Sequence, residues 1–173
     1  MTTNKYSDMI VTTPSDTELV VSRTFNAPRD LVWRAWTQSE HLTQWWGPTD
    51  WKVTVSQMDF RVGGHWLYCM AGPPSEGSPE IIESWGKSVY LEITPQTSFV
   101  YEDYFVDSTG AVIEGMPVST STLKFDEQNS QTVVTIIISF STKEQRDGLI
   151  EMQVIPGMTQ TFDHLEDYLP TLA

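Results

Sequence analysis

Residues 25–48 read FNAPRDLVWRAWTQSEHLTQWWGP and decide the class of fold, because they interrupt a chain that otherwise favours β-strands. Pro28 stands where a first helical turn tolerates proline, and apolar residues then recur at helical spacing. Ser39 is a good N-cap for a second helix, which the Gly-Pro pair at 47–48 ends. The stretch therefore predicts two short helices directly after a first strand, Glu18–Phe25.

Beyond this stretch the chain predicts more strands and then a long helix. Runs of β-branched and aromatic residues with short turns between them predict an antiparallel meander. These runs lie at residues 51–58, 65–70, 81–93, 99–106, 118–125 and 132–140. Capping-box spacing near Thr142 begins a terminal helix, in which Pro156 predicts a kink or a restart at residues 155–157. The order of elements is that of an α+β protein.

Length and composition limit the classes of function. A chain of 173 residues, 39% of them hydrophobic, predicts one folded domain, which we place at residues 17–173 after a flexible N-terminal tail at 1–16. The net charge of −13 disfavours nucleic acid and anionic membrane surfaces as partners. The single cysteine, Cys69, favours a reducing compartment, and no segment predicts a signal peptide or a membrane span. We therefore expect a cytoplasmic protein.

The sequence contains no complete catalytic or metal-binding motif. It has no G-x-S-x-G nucleophile elbow, no P-loop and no G-x-G-x-x-G fingerprint. Its three histidines, His41, His65 and His164, fall on different predicted elements without the spacing of metal ligands. The sequence thus predicts no metal and no cofactor. It leaves open whether the protein is an enzyme and favours the view that it is not.

Motifs along almost the whole of residues 18–170 resemble one family. The matching stretches are FNAPRDLVWRAWT (25–37), HLTQWWGP (41–48), MDFRVGGHWLYCM (58–70), WGKSVYLEITP (85–95), FVYEDYF (99–105), MP (116–117) and QTFDHLEDYL (160–169). They resemble the START-like, or SRPBCC, helix-grip superfamily, and within it the homologues of the activator of Hsp90 ATPase, also called the calicheamicin-resistance-like family. The resemblance implies a curved antiparallel sheet of about six to seven strands around a long C-terminal helix, with a cavity between them.

One departure from this family lies in the terminal helix. The family commonly has Gly-Trp where this chain has Gly157 and Met158, preceded by Pro156. Because methionine is flexible and smaller than tryptophan, we expect a wider and softer cavity at this point.

Aromatic side chains are the main candidates for lining such a cavity. Period-two alternation places Trp66, Tyr68 and Met70 on one face of their strand, which we assign inward. We interpret Trp33, Trp36 and Trp45 instead as residues that pack the helices onto the sheet. The predicted ligand-binding residues are Trp46, Trp66, Tyr68, Met70, Trp85, Tyr101, Asp103, Phe105, Met152, Met158 and Phe162.

Asp103 is the most informative polar candidate. If it faces the cavity, its carboxylate must be solvated, hydrogen-bonded or protonated, since an isolated buried charge is costly. It would then orient a ligand or act as a base. A one-residue shift in strand register would make it an ordinary surface acid.

Three functions fit these observations. The first is binding of a small hydrophobic or aromatic molecule in the cavity. The second is a protein-binding module that resembles the chaperone ATPase activators, although we expect a single domain here, without the separate N-terminal domain of true cochaperones. The third is a polyketide cyclase or aromatase-like enzyme. In addition, both faces of VVTIII (133–138) are apolar, which leaves a homodimer open.

Overall fold

The helices and strands follow the predicted order closely. A computed structural model describes residues 6–74, 77 and 79–173. Its strands are β1 (Ile10–Ser15), β2 (Glu18–Phe25), β3 (Lys52–Met58), β4 (His65–Gly72), β5 (Ile82–Thr94), β6 (Ser98–Phe105), β7 (Ser119–Gln128) and β8 (Gln131–Ser139). Its helices are α1 (Arg29–Thr37), α2 (Ser39–Trp45), α3 (Lys143–Glu151) and α4 (Val154–Tyr168), followed by a 3-10 turn at Leu169–Leu172.

All eight described strands form one antiparallel sheet, in the order β1-β2-β8-β7-β6-β5-β4-β3. The α+β helix-grip class is confirmed, with one strand more than the six to seven expected. The additional strand, β1, lies in the stretch predicted as a tail and pairs with β2 from Ile10 onward, while residues 1–5 of that stretch lie outside the described part. None of the helices described is long and apolar enough to cross a membrane.

Helix α4 is fixed on the sheet by a partly buried ion pair. Arg23 points inward from β2, is 2% exposed, and its Nη1 donates to Asp163 Oδ1 at 2.7 Å. The guanidinium also lies 5.4 Å from the ring centroid of Phe25, a cation–π contact. Glu166 on the same helix accepts a hydrogen bond from the backbone N–H of Asn26 at 3.1 Å. These contacts set the position of α4 along β2.

The C-terminal half of α4 is packed more tightly than its N-terminal half. The ring of Phe162 meets Phe25 and Trp36 edge-on, at centroid distances of 5.9 and 5.8 Å, and Leu165 is fully buried. In the N-terminal half, Val154 and Met158 keep part of their surface. The aromatic contacts therefore hold one end of α4 close to the sheet and leave space under the other end.

The terminal helical region breaks before Pro156 and not at residues 155–157. Helix α3 ends at Glu151, and Gln153 adopts a left-handed conformation with φ of 66° before α4 begins at Val154. Pro156 is the third residue of α4, where its missing N–H costs no helical hydrogen bond. The proline therefore fits within the first turn of a new helix, and the change of direction falls on Gln153.

We expect Gln153→Gly to raise the free energy of unfolding by about 0.5–1 kcal/mol, because glycine adopts the left-handed conformation without the steric cost of a Cβ. The matched control is Gln44→Gly in the exposed face of α2, which should lower it by a similar amount. Urea denaturation measures both. An equal loss in the two variants would contradict the left-handed junction.

Candidate functional site

A cavity of about 390 Å³ lies between the inward face of the sheet and the α3–α4 region. Its walls come from β4, β6, β7 and β8 on one side, from α3 and α4 on the other, and from residues 46–48 after α2. Nine of the eleven predicted residues line it: Trp46, Tyr68, Met70, Tyr101, Asp103, Phe105, Met152, Met158 and Phe162. Most of the lining is apolar, which suits an apolar or aromatic ligand.

Trp66 and Trp85 do not line this cavity. Trp66 does face inward, where it is 3% exposed and borders a separate void of about 20 Å³, and its Nε1 donates to Ser56 Oγ at 2.8 Å. The expectation that Trp85 joins the inward set is wrong, because Trp85 pairs with Cys69 and so shares the opposite face of the sheet. The inward partner of Tyr68 on β5 is Gly86.

Gly86 provides room for the Tyr68 ring against the backbone of β5. A Cβ at residue 86 would lie 2.5 Å from both Cζ and the hydroxyl oxygen of Tyr68. Glycine within a strand often marks a close approach of this kind. The orientation of Tyr68 in the cavity wall therefore depends on a glycine in the neighbouring strand.

A polar row crosses the inward face of the sheet. The register pairs Ser88 on β5 with Asp103 on β6, and Asp103 with Ser119 on β7. In the next row, Tyr101 pairs with Ser121. Because paired residues of neighbouring strands share a face, these pairs bring hydroxyls and one carboxyl group together on the sheet side of a mostly apolar space.

The carboxyl group of Asp103 has few partners. Within the described part of the chain it receives one long hydrogen bond, from Ser88 Oγ to Oδ1 at 3.4 Å. Burial disfavours the charged form and raises the pKa of Asp103 to about 7, although the Ser88 hydrogen bond opposes this. Burial, with the nearby negative charge of Asp103, also raises the pKa of Tyr68 and of Tyr101, so both phenols stay protonated.

The cavity reaches the surface at the α3–α4 junction. Met152 and Gln153 line it and are both exposed, Met152 by 66%. Residues 46–48, which also line the cavity, are held to α4, because His164 Nδ1 and the carbonyl oxygen of Gly47 are 3.0 Å apart. This part of the lining is therefore anchored, whereas the solvent-exposed part carries a flexible methionine next to a left-handed residue.

Several lining residues escaped the sequence analysis. Trp36 was interpreted as a packing residue, yet it borders the cavity while remaining 5% exposed. The other unpredicted members are Gly47, Pro48, Ser119, Ser121, Ile136, Ile138, Leu149, Gln153, Val154, Gly157 and Thr161. Alternation in the predicted strands at 118–125 and 132–140 carried a signal for the serines and isoleucines. In the α3–α4 region, helical spacing put Leu149 on the same apolar face as Met158 and Phe162. The lining by Gln153, Val154, Gly157 and Thr161 depends on the break at Gln153.

The histidines and the cysteine are not among the residues that line the cavity. His41 Nδ1 is 2.8 Å from the Tyr168 hydroxyl, which joins α2 to the end of α4. Cys69 is buried on the face opposite Tyr68. Residues 6–74, 77 and 79–173 contain no group of three histidine, cysteine, aspartate or glutamate side chains arranged to hold a metal ion.

The family assignment comes from comparison with known proteins. A family model described as "Activator of Hsp90 ATPase homolog 1-like protein" matches residues 26–170. The chain belongs to this family. No curated protein sequence matches the chain.

Solved structures share the fold over nearly the full length. A protein from Staphylococcus epidermidis is 30% identical, with 95% of this chain and 96% of that chain covered and a TM-score of 0.79. A protein from Arthrobacter aurescens is 27% identical, with 94% and 91% covered and a TM-score of 0.82. CalU16 from Micromonospora echinospora, at 17% identity, 94% and 84% coverage and a TM-score of 0.59, is similar in fold alone.

Gly86→Ala should lower the free energy of unfolding by about 1–3 kcal/mol, because the added methyl group displaces the Tyr68 ring. Gly148→Ala in α3 is the control. A Cβ there meets nothing within 4 Å, so this change should raise stability by about 0.5–1 kcal/mol. Urea denaturation compares the two, and equal effects would contradict the Tyr68–Gly86 contact.

Asp103→Asn should raise the free energy of unfolding by about 1–3 kcal/mol at about pH 8. The folded pKa of Asp103, about 7, exceeds the unfolded value of about 3.9, so its proton is held more tightly in the folded state. The stability from this proton is complete below about pH 4 and is lost as the pH rises to about 7. The asparagine variant, neutral at every pH, removes this loss.

Urea denaturation between about pH 4 and pH 8 measures the difference. Asp126→Asn, at an exposed position on β7, is the control for the change in net charge. If both variants follow the wild-type pH dependence, Asp103 is not the buried acid described above.

Proposed function

We propose that the protein binds a small hydrophobic or aromatic molecule in the cavity between the sheet and α4. The observation that carries this proposal is a space of about 390 Å³ with a mostly apolar lining. Ligand sites commonly measure roughly 300–1,000 Å³ and combine an apolar wall with a few polar groups. Asp103, Ser119 and Ser121 would be those polar groups here.

Aromatic side chains would provide most of the contact with such a ligand. Trp46 meets Tyr68 edge-on at a centroid distance of 6.1 Å, and both rings line the cavity with Trp36, Tyr101 and Phe105. Flat rings held by neighbours bury a large area with little loss of conformational freedom. The entrance would be at Met152, where the lining meets solvent.

A proton-transferring enzyme of the cyclase or aromatase kind is the second candidate, and Asp103 favours it. A carboxyl group with a pKa of about 7 in a cavity has the acidity of a general base at neutral pH. Binding of an aromatic molecule without turnover would separate the two candidates. A chaperone-activating contact has the description of the family as its support.

The proposal includes a location in the cell, and the outer face of β8 allows a test for a homodimer. A single buried cysteine, Cys69, is typical of a cytoplasmic protein, which is where we place this one. The outer side chains of β8, Val133, Thr135 and Ile137, are half-buried within a single chain, so they offer a second copy little exposed apolar surface. A homodimer through this face is testable by light scattering.

The neutral fluorescent probe N-phenyl-1-naphthylamine should bind to the wild type with increased emission. Met158→Trp should weaken its binding about tenfold or more while changing stability by less than about 0.5 kcal/mol, because the ring enters open space. Met116→Trp, in an exposed loop outside the cavity, is the matched control and should bind as the wild type does.

Two results would count against this proposal. One is the absence of probe binding to the wild type. The other is a loss of about 1–3 kcal/mol in Met158→Trp, which would mean that Met158 packs in a filled core.

A further inference from the structure

A carboxyl group without a cationic partner restricts what an apolar cavity accepts. We infer that the cavity selects an apolar or aromatic molecule that carries a protonated amine, with the carboxylate of Asp103 as the partner of the ammonium group. This inference rests on the proposed function and adds the chemical class of the ligand to it.

The protein supplies no positive charge to Asp103 from the residues described. No lysine, arginine or histidine lines the cavity. Lys87 and Lys124 alternate with inward residues of their strands and so belong to the outer face. Arg23, the buried arginine nearest in the fold to α4, already pairs with Asp163. Any counter-ion for Asp103 must therefore come with the ligand.

Asp103 also keeps unused hydrogen-bonding capacity. An ionised carboxylate accepts about four hydrogen bonds. In the described part of the chain Asp103 accepts one, the long bond from Ser88. An ammonium group would donate short, charge-assisted bonds to it, which are roughly twice as strong as neutral ones. Ser119 and Ser121 line the same cavity and offer further acceptors for the remaining N–H groups.

The surrounding rings favour a cation over a neutral group. Trp36, Trp46, Tyr68, Tyr101 and Phe105 line the cavity together with Asp103. The faces of aromatic rings attract an ammonium group, and this attraction grows when water is excluded. A carboxylate combined with several rings is therefore a suitable environment for an amine that is attached to an apolar body.

Anionic ligands meet the opposite conditions. A ligand carboxylate would be repelled by Asp103, or would force its protonation, and no basic side chain on the cavity wall would compensate. The net charge of −13 adds a long-range repulsion of anions and attraction of cations. The carboxylate of Asp103 and the net charge of the whole protein both favour cationic ligands, so an experiment must separate the two effects.

Three matched probes make that separation: 1-naphthylmethylamine, 1-naphthalenemethanol and 1-naphthoate, which carry a positive, a neutral and a negative group on one ring system. We expect calorimetric titration at about pH 8 to show the amine binding about tenfold or more tightly than the alcohol, with the carboxylate weakest. This order should persist in about 0.5 M NaCl, because a buried pair is screened little.

Asp103→Asn tests the assignment to one residue. It should weaken binding of the amine about tenfold or more and leave the alcohol within about threefold, because asparagine keeps an acceptor but no charge. Asp126→Asn, which removes the same charge from the outer surface, should leave the preference for the amine unchanged. The Asp103→Asn variant is expected to be more stable than the wild type at this pH. A thermal melt checks that it is folded.

The outcomes distinguish the two proposals. If the three probes bind equally, the amine inference is overturned while ligand binding in the cavity stands. The same holds if the preference for the amine disappears in about 0.5 M NaCl, or if Asp103→Asn keeps the wild-type preference. If none of the probes binds to the wild type, both proposals are overturned.

Discussion

The packing of Phe162 against Phe25 and Trp36 is the contact on which the rest of the site depends. It holds the C-terminal half of α4 at the distance of one aromatic layer from the sheet. Because the ion pair between Arg23 and Asp163 lies in the same region, the helix has little freedom to slide or tilt there. The N-terminal half of α4 then extends over the sheet, where the carbonyl oxygen of Thr159 still lies 3.4 Å from Arg23 Nη1, and Val154 and Met158 line the cavity beneath it.

The opening of this cavity is built from different physical elements than its floor. The floor consists of paired strands, whose register fixes Tyr101, Asp103 and Ser121 relative to one another. The opening includes the left-handed Gln153 and the exposed Met152, which no strand supports. Polar groups fixed on paired strands and a flexible methionine at the entrance suit a site that fixes one functional group and tolerates variation in the body of a ligand.

The sequence predicted the fold to within one strand, because its elements carry local signals: alternation in the strands, caps and Gly-Pro pairs at the helices. It failed where the outcome depends on partners distant in sequence. Trp85 was expected to join the inward aromatic set from the neighbouring strand, whereas the inward residue there is Gly86, which leaves room for Tyr68. The interior glycine was the available signal. Likewise, a proline does not have to lie at a break. Pro156 is tolerated in the first turn of α4, so the break falls before it.

Asp103 is the residue whose charge fits its buried position in the fold least well. The other inward positions of β6 are the aromatic residues Phe99, Tyr101 and Phe105. Among them, a carboxyl group with one long hydrogen bond disfavours folding whenever it is ionised. An alanine or serine at this position would pack without that cost. Sequences specify their folds by consistency between levels, and departures from it concentrate at functional sites. A group that enters the cavity from outside the chain would remove that cost, and this is the physical basis on which we propose Asp103 as the polar residue of the ligand site.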